Sequence, residues 1–332
     1  MLFITNRCPK QGIESKEGVK ATNGRDYDFN LSENSASNSV YFCKRKKKNT
    51  YREVGSEGFL NRLKRSKYKQ LLIYIHGFSN MPEDVFSDAG EFQSLCNKKK
   101  PEEVLVVPVI WPCDNDKGII KDYWDDQKSA DMSAFSYARV LQKFIEWRDS
   151  TEFNPENDPC LKRMNVLAHS MGNRVLRETL ATWNKYDLAD GVPLVFRNTF
   201  LVAADIVNES LEVGNRGEHI CYSARNVVVY HASDDLALRA SKVSNIKNKI
   251  ASRRLGHTGP EDMSAVPGNV YSVDCDDVNN TYDRPKGHSY FRSGARKGQP
   301  GKVFEHIFAT LLQGRVYPRK EDEHRSTSII KK

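Results

Sequence analysis

The chain has 332 residues, of which 39% are hydrophobic, and carries 51 Lys and Arg against 43 Asp and Glu, a formal net charge of +8. That is enough apolar content for a real core and enough length for one large domain or two ordinary ones. No apolar run approaches the roughly 18 residues of a spanning helix, and MLFITNRCPK lacks the basic-then-apolar order of a signal peptide, so a cytoplasmic location is expected.

The seven cysteines, Cys8, Cys43, Cys96, Cys113, Cys160, Cys221 and Cys275, are odd in number and show no paired spacing. They fit neither a CxxC-type zinc motif nor a secreted disulfide framework, and read as reduced, structural thiols.

From the N-terminus, LFITNR reads as a short strand, and NLSENSASNSVYF is polar without helical periodicity. Residues 1–58 are therefore expected to form edge strands and polar loops of the same domain, partly disordered between Gly12 and Ser39. Basic clusters lie at Lys44–Lys48, Arg62–Lys69 and Lys98–Lys100. No zinc finger, RRM-like aromatic strand or Gly-rich RNA clamp accompanies them, so they read as solvated faces; a nucleic-acid partner is not expected, and nothing supports peripheral membrane contact.

The pattern changes at Gln70. LLIYIHGF, VLVVPVIWP, MNVLAHS, NTFLVAADI, NVVVYHAS and NVYSVDC are short and almost continuously apolar, the mark of parallel strands covered on both faces. Between them Tyr137, Val140, Leu141, Phe144 and Ile145 sit at helical spacing within Met132–Trp147, and Val303, Phe304, Ile307, Phe308, Leu311 and Leu312 repeat it near the C-terminus. The expected fold class is α/β, a doubly wound domain over residues 59–316, followed by a frayed charged tail at 317–332.

One serine stands at a strand-to-helix junction, in NVLAHSMGNRVL. A tight turn there exposes the hydroxyl and sets it before a helix N-terminus, but strand and helix collide unless small residues flank it two positions either side. Ala168 and Gly172 occupy those positions around Ser170. A serine hydroxyl becomes a useful nucleophile only with a base in reach, a carboxylate orienting the base, and donors for an oxyanion.

AHSMGNRV, preceded by IYIHGFSN, resembles the α/β-hydrolase superfamily, with Ala168 one methyl larger than the glycine of the usual G-x-S-x-G. LFITNR, HGFSN, WPCD, DDQKSADMSA, SDDLALRAS, RLGHTGP and GHSYF are similar to segments of a widespread, largely bacterial family of uncharacterised α/β hydrolases. The resemblance implies a mostly parallel central sheet with helices on both faces, and oxyanion donors at the N–H of Phe78 and of Met171. His76 and Gly77 would shape the loop that carries Phe78, and His76 reads as a buried structural histidine rather than the base.

The superfamily's chain order is Ser, then Asp or Glu, then His. Of eight histidines, His257, His288, His306 and His324 come late enough. His324 lies in the tail, His306 within the final helix, and His257 before the last strand; His288, after that strand, is the expected base. The resemblance favours Asp235 as the acid, with Asp205 second and Asp234 third; helix capping is the ordinary use of those that do not serve.

The expected activity is cleavage of a carboxylic ester on a small molecule or short lipid by a serine hydrolase of the carboxylesterase or lipase-like kind, needing neither a metal nor an organic cofactor. Trp111, Tyr123 and Trp124 in WPCDNDKGIIKDYWDD are candidate acyl-pocket residues or ordinary packing. An acyltransferase, thioesterase or amidase could use the same groups, and a non-catalytic module binding a polyanion remains the alternative of another class.

Overall fold

In the computed structural model, which describes residues 1–10, 24–114, 116, 118–149, 162–188, 191–239, 253–316 and 325–330, every continuous apolar run is a strand. β1 (Leu2–Arg7), β2 (Arg25–Tyr27), β3 (Ala36–Lys47), β4 (Thr50–Glu53), β5 (Gln70–Ile75), β6 (Val104–Ile110), β7 (Arg163–His169), β8 (Phe196–Val202), β9 (Ala224–His231), β10 (Val270–Asp274) and β11 (Ser326–Ser328) make one sheet. Its order is β11-β10-β9-β8-β7-β5-β6-β1-β3-β4-β2. The strands from β11 across to β1 run parallel, while β3, β4 and β2 are added by antiparallel pairing.

Helices cover both faces, which is why those strands are apolar on both sides. α1 (Ser56–Arg65), α3 (Ile119–Asp149) and α4 (Gly172–Asp187) lie on one face, α2 (Pro82–Lys99) and a C-terminal helix (Lys302–Gln313) on the other. The side chains divide with the two-residue period of a pleated strand. Leu71 and Ile75 enter the first core and Leu72 and Tyr74 the second; Val227 and Val229 oppose Val228 and Tyr230 in the same way.

A row of buried amides crosses the sheet near the beginnings of its strands. Asn226 donates to the Oδ1 of Asn198 at 2.8 Å, Asn198 to the Oδ1 of Asn165 at 2.8 Å, and Asn165 to the Oε1 of Gln70 at 3.3 Å. Gln70 in turn donates to Glu103 at 2.9 Å and Asn226 to the carbonyl of Gly314 at 3.1 Å. A slip of one residue in any of these strands would turn a polar amide into an apolar layer, so the row fixes the register.

Three expectations are corrected. α3 begins at Ile119, well before the helical spacing read from Met132 onward, so the second half of WPCDNDKGIIKDYWDD is helix. Ser326–Ser328, read as frayed tail, pairs in parallel with β10. Ala36–Ser39, read as part of a disordered stretch, opens β3. Cys160, His324, residues 11–23 and most of the tail lie outside the described residues; Cys8, Cys43, Cys96, Cys113, Cys221 and Cys275 are free thiols. Among the described residues no helix is long and apolar enough to cross a membrane.

The basic clusters are partly tied up within the fold. Arg45 pairs with Glu83 at 2.5 Å, Lys99 with Glu305 at 2.7 Å and Lys100 with Glu103 at 2.8 Å, while Lys98 donates to the carbonyl of Gly298 at 2.7 Å.

Candidate active site

β7 ends at His169 and α4 begins at Gly172, leaving Ser170 and Met171 to make the whole turn. Ser170 takes a φ of 53°, in the left-handed region that costs a side-chain-bearing residue about 1–2 kcal/mol. Neighbouring groups hold it there: its N–H donates to Val202 at 3.0 Å, and its carbonyl accepts from the Asp205 N–H at 3.2 Å and from Asn173 Nδ2 at 3.0 Å. Gly172 is required for space, since a Cβ there would lie 2.5 Å from the Ile75 carbonyl oxygen and 2.6 Å from that of His76. Across the helices, Arg174 grips Asp131 with two bonds of 2.7 and 2.8 Å, fixing the first turn of α4 against α3.

Ser170 and His288 line one cavity of about 640 Å³ at the C-terminal edge of the sheet, where α/β folds form their sites. Nδ1 of His288 lies 2.6 Å from Oδ2 of Asp235. The carboxylate can only accept, so the imidazole proton sits on Nδ1 and Nε2 is left as the basic nitrogen. Burial pulls the His288 pKa down, but the Asp235 charge, with help from Asp205 and Asp283, outweighs it and the net shift is upward. Asp235 is held in turn by the Leu238 N–H at 3.0 Å.

The loop carrying His288 is fixed by residues the sequence reading passed over. Asp283 accepts the N–H of His288 at 2.9 Å and of Ser289 at 2.7 Å. His169, just before Ser170, places its Nε2 3.2 Å from the His288 carbonyl, so Nε2 is the donor. Burial, and then repulsion from His288, hold the His169 pKa well below its ordinary value, keeping the ring neutral. The signal for Asp283 was its place five residues before His288 in DRPKGH; His169 had only its position beside Ser170.

The other candidate acids have separate work. Asp205 lines the cavity but is engaged by Arg254 at 3.2 Å and by the Tyr123 hydroxyl at 2.8 Å. Asp234 accepts from Asn279 at 2.5 Å and from Asn280, bracing the loop behind Asp235. His306 sits 2.8 Å from the Tyr230 hydroxyl inside the C-terminal helix packing, and His257 lies in a short helical turn at Leu255–Thr258.

Of the candidate acyl-pocket residues, Tyr123 alone lines the cavity, its ring edge-on to Phe78 at 5.6 Å. Trp111 is wholly buried and stacks on His76 with ring centroids 5.1 Å apart, and Trp124 is 40% exposed on the surface. The correction has a simple cause: in a helix, consecutive side chains diverge by about 100°, so Tyr123 and Trp124 cannot face the same way.

The loop after β5 passes over the serine. Gly77 is so close that a Cβ on it would lie 2.9 Å from the Cβ of Ser170. Among the described residues neither the Phe78 nor the Met171 N–H donates to a protein acceptor. Asp126, buried below the loop, accepts the Ser79 N–H at 2.8 Å, Asn34 Nδ2 at 2.8 Å and the Asp114 N–H at 3.1 Å; burial raises its pKa to about 6. Asp114, Asp116 and Asp122 bring carboxylate oxygens within 4.8 Å of one another, a donor set suited to a hard divalent cation.

The parallel sheet, the serine on its strained strand-to-helix turn and the late histidine with its carboxylate define an α/β hydrolase. The chain belongs to the family described as "Alpha/beta hydrolase of unknown function (DUF900)", which matches residues 53–295. No curated protein matches the sequence. Among solved structures, the chain is similar to phospholipase PlaB from Legionella pneumophila, at 11% identity and a TM-score of 0.27, over 67% of this chain and 42% of that one. It therefore spans less than half of that phospholipase chain. It is also similar to carboxyl esterase 2 from the mycorrhizal fungus Tuber melanosporum, at 11% identity and a TM-score of 0.29, over 98% of this chain and 80% of that one.

Proposed function

We propose that this protein is a serine hydrolase that cleaves a carboxylic ester through an acyl-enzyme. The observation that carries the reading is the sharing of one cavity by Ser170, in a left-handed turn, and His288, whose Nδ1 is fixed on buried Asp235. Ser170 Oγ attacks the ester carbonyl carbon while Nε2 of His288 accepts the hydroxyl proton. The N–H groups of Phe78 and Met171 stabilise the oxyanion, and the imidazolium, steadied by Asp235, gives its proton to the departing alcohol. Water then enters and attacks the acyl carbonyl carbon as it loses a proton to His288, and the tetrahedral adduct collapses to free acid as His288 returns that proton to Ser170 Oγ.

The cavity lining combines apolar Phe78, Leu236 and Leu238 with polar Tyr123, Asp205 and Lys286. A short acyl chain and a polar alcohol both find partners in such a lining.

Fluorophosphonate labelling and hydrolysis of p-nitrophenyl esters of increasing chain length test the reading. Wild type is expected to label and turn over the shorter esters best, with both activities lost in Ser170→Ala and His288→Ala. A folded wild type that neither labels nor hydrolyses any ester overturns it.

A further inference from the structure

Resting on that serine-hydrolase reading, we propose that His76 is a positioning residue that sets the plane of the Gly77–Phe78 peptide and so aims the Phe78 N–H at the forming oxyanion. His76 is fully buried at the end of β5, directly before the loop that crosses Ser170. Its Nε2 lies 3.2 Å from the backbone nitrogen of Trp111. An amide N–H can only donate, so Nε2 must be the bare nitrogen and the proton of the neutral ring must sit on Nδ1. From there it donates to the Gly77 carbonyl at 2.7 Å. Burial holds the ring's pKa down at about 4, which keeps the ring uncharged through the neutral range, and the two hydrogen bonds then fix its tautomer.

The Gly77 carbonyl is gathered inward by further donors, Asn80 Nδ2 at 3.1 Å and the Cys113 thiol at 3.7 Å. The only cis peptide among the described residues is Arg284–Pro285, so Gly77–Phe78 is trans. In a trans peptide the C=O and N–H point in opposite directions. Tying the carbonyl inward therefore turns the Phe78 N–H outward, towards the cavity that both residues line. Gly77 packs against Ser170 itself, so a modest rotation of this peptide would take the donor off line, and hydrogen bonds weaken steeply as they bend.

Trp111 holds the ring that does this. It stacks on His76 at an interplanar angle of 9° and donates its indole N–H to the His76 carbonyl at 2.9 Å. Any buried imidazole needs partners for both ring nitrogens; what singles out His76 is that its donor goes to the one carbonyl whose peptide carries the Phe78 N–H.

Two substitutions separate the roles. In His76→Asn the amide nitrogen is attached to Cγ, as Nδ1 is, and keeps a donor for the Gly77 carbonyl. In His76→Gln the polar end reaches the level of Nε2, where it answers the Trp111 N–H but leaves the Gly77 carbonyl without its donor. Each loses one ring hydrogen bond, so comparable losses of thermal stability are expected.

With p-nitrophenyl acetate, His76→Gln should lower kcat by about 100-fold, with KM within about 3-fold of wild type, and His76→Asn should stay within about 5-fold in kcat. Equal losses in the two variants that track their melting temperatures, or a change confined to KM, would overturn the proposal. The Phe78 amide resonance gives a reading independent of turnover: it should move in His76→Gln and hold in His76→Asn, and failure to move in either overturns the proposal. A wild type without esterase activity but with this resonance pattern would count against the hydrolase reading alone.

Discussion

Nδ1 of His288 lies 2.6 Å from Oδ2 of Asp235, and the Asp235 side chain has no solvent exposure at all. A bond in that setting fixes both the tautomer and the angle of the ring. Asp235→Asn keeps the shape but offers an amide where the carboxylate was, so kcat should fall about 10³- to 10⁴-fold. Asp205→Asn provides the contrast. It strips buried Arg254 of its counter-charge and should cost about 3 kcal/mol in denaturant unfolding, with kcat of the folded enzyme within about 10-fold of wild type. A larger kcat loss in Asp205→Asn than in Asp235→Asn would exchange the roles of the two acids.

The pH profile should carry the same signature. In the proposed mechanism His288 must be neutral to accept the Ser170 proton, and its pKa is raised above the ordinary 6.5, with Asp235 the leading source of the rise. Activity should therefore fall on the acid side from a limb lying above 6.5, and in Asp235→Asn the residual activity should persist to lower pH. For stability, a histidine with a raised pKa contributes fully below 6.5 and loses that contribution as pH rises through its folded value. Unfolding titrations of wild type and His288→Gln at pH 6 and pH 9 should show the wild-type advantage shrinking at the higher pH.

Gly172→Ala and Gly90→Ala form a matched pair. At Gly172 the new methyl meets two backbone carbonyls closer than 3 Å, whereas at Gly90, within α2, nothing lies within 4 Å. The first should destabilise by about 1–3 kcal/mol or more and displace Ser170, reducing kcat. The second should be neutral or stabilising by about 0.5–1 kcal/mol, because alanine is the better helix former. Thermal melts of the two variants decide it.

The amide row gives a site-independent prediction. Asn198→Ala leaves the Asn165 oxygen and one Asn226 N–H buried without these partners, at a cost of about 1–3 kcal/mol. Because Asn198 is near the start of β8 and the cavity lies beyond the other end, kcat should be unchanged; a parallel loss of activity would show that register errors reach the cavity.

Much of this was legible in the chain itself. Strands buried on both faces must be apolar throughout, which made β5 to β10 visible, and the steric demands of the turn made Ser170 visible between Ala168 and Gly172. Pairwise geometry was not. Three apolar runs carry an asparagine at or beside their first residue, Asn165, Asn198 and Asn226, but the row exists only once the strands are in register. Trp111 looked like a pocket residue because aromatics at a strand end often are; its actual place against His76 depends on how β5 and β6 pair. Segments that carried the family resemblance turn out to brace the site: buried Arg7 donates to the Cys113 carbonyl at 2.6 Å, and Arg254 neutralises Asp205.

The left-handed φ of 53° at Ser170 sets durability against reactivity. Glycine would occupy that turn without the penalty of about 1–2 kcal/mol that a side chain incurs. A library screened for heat resistance alone would therefore favour Ser170→Gly, a sturdier molecule without the proposed nucleophile, so breeding a tougher form of this protein demands a second screen for turnover at every round.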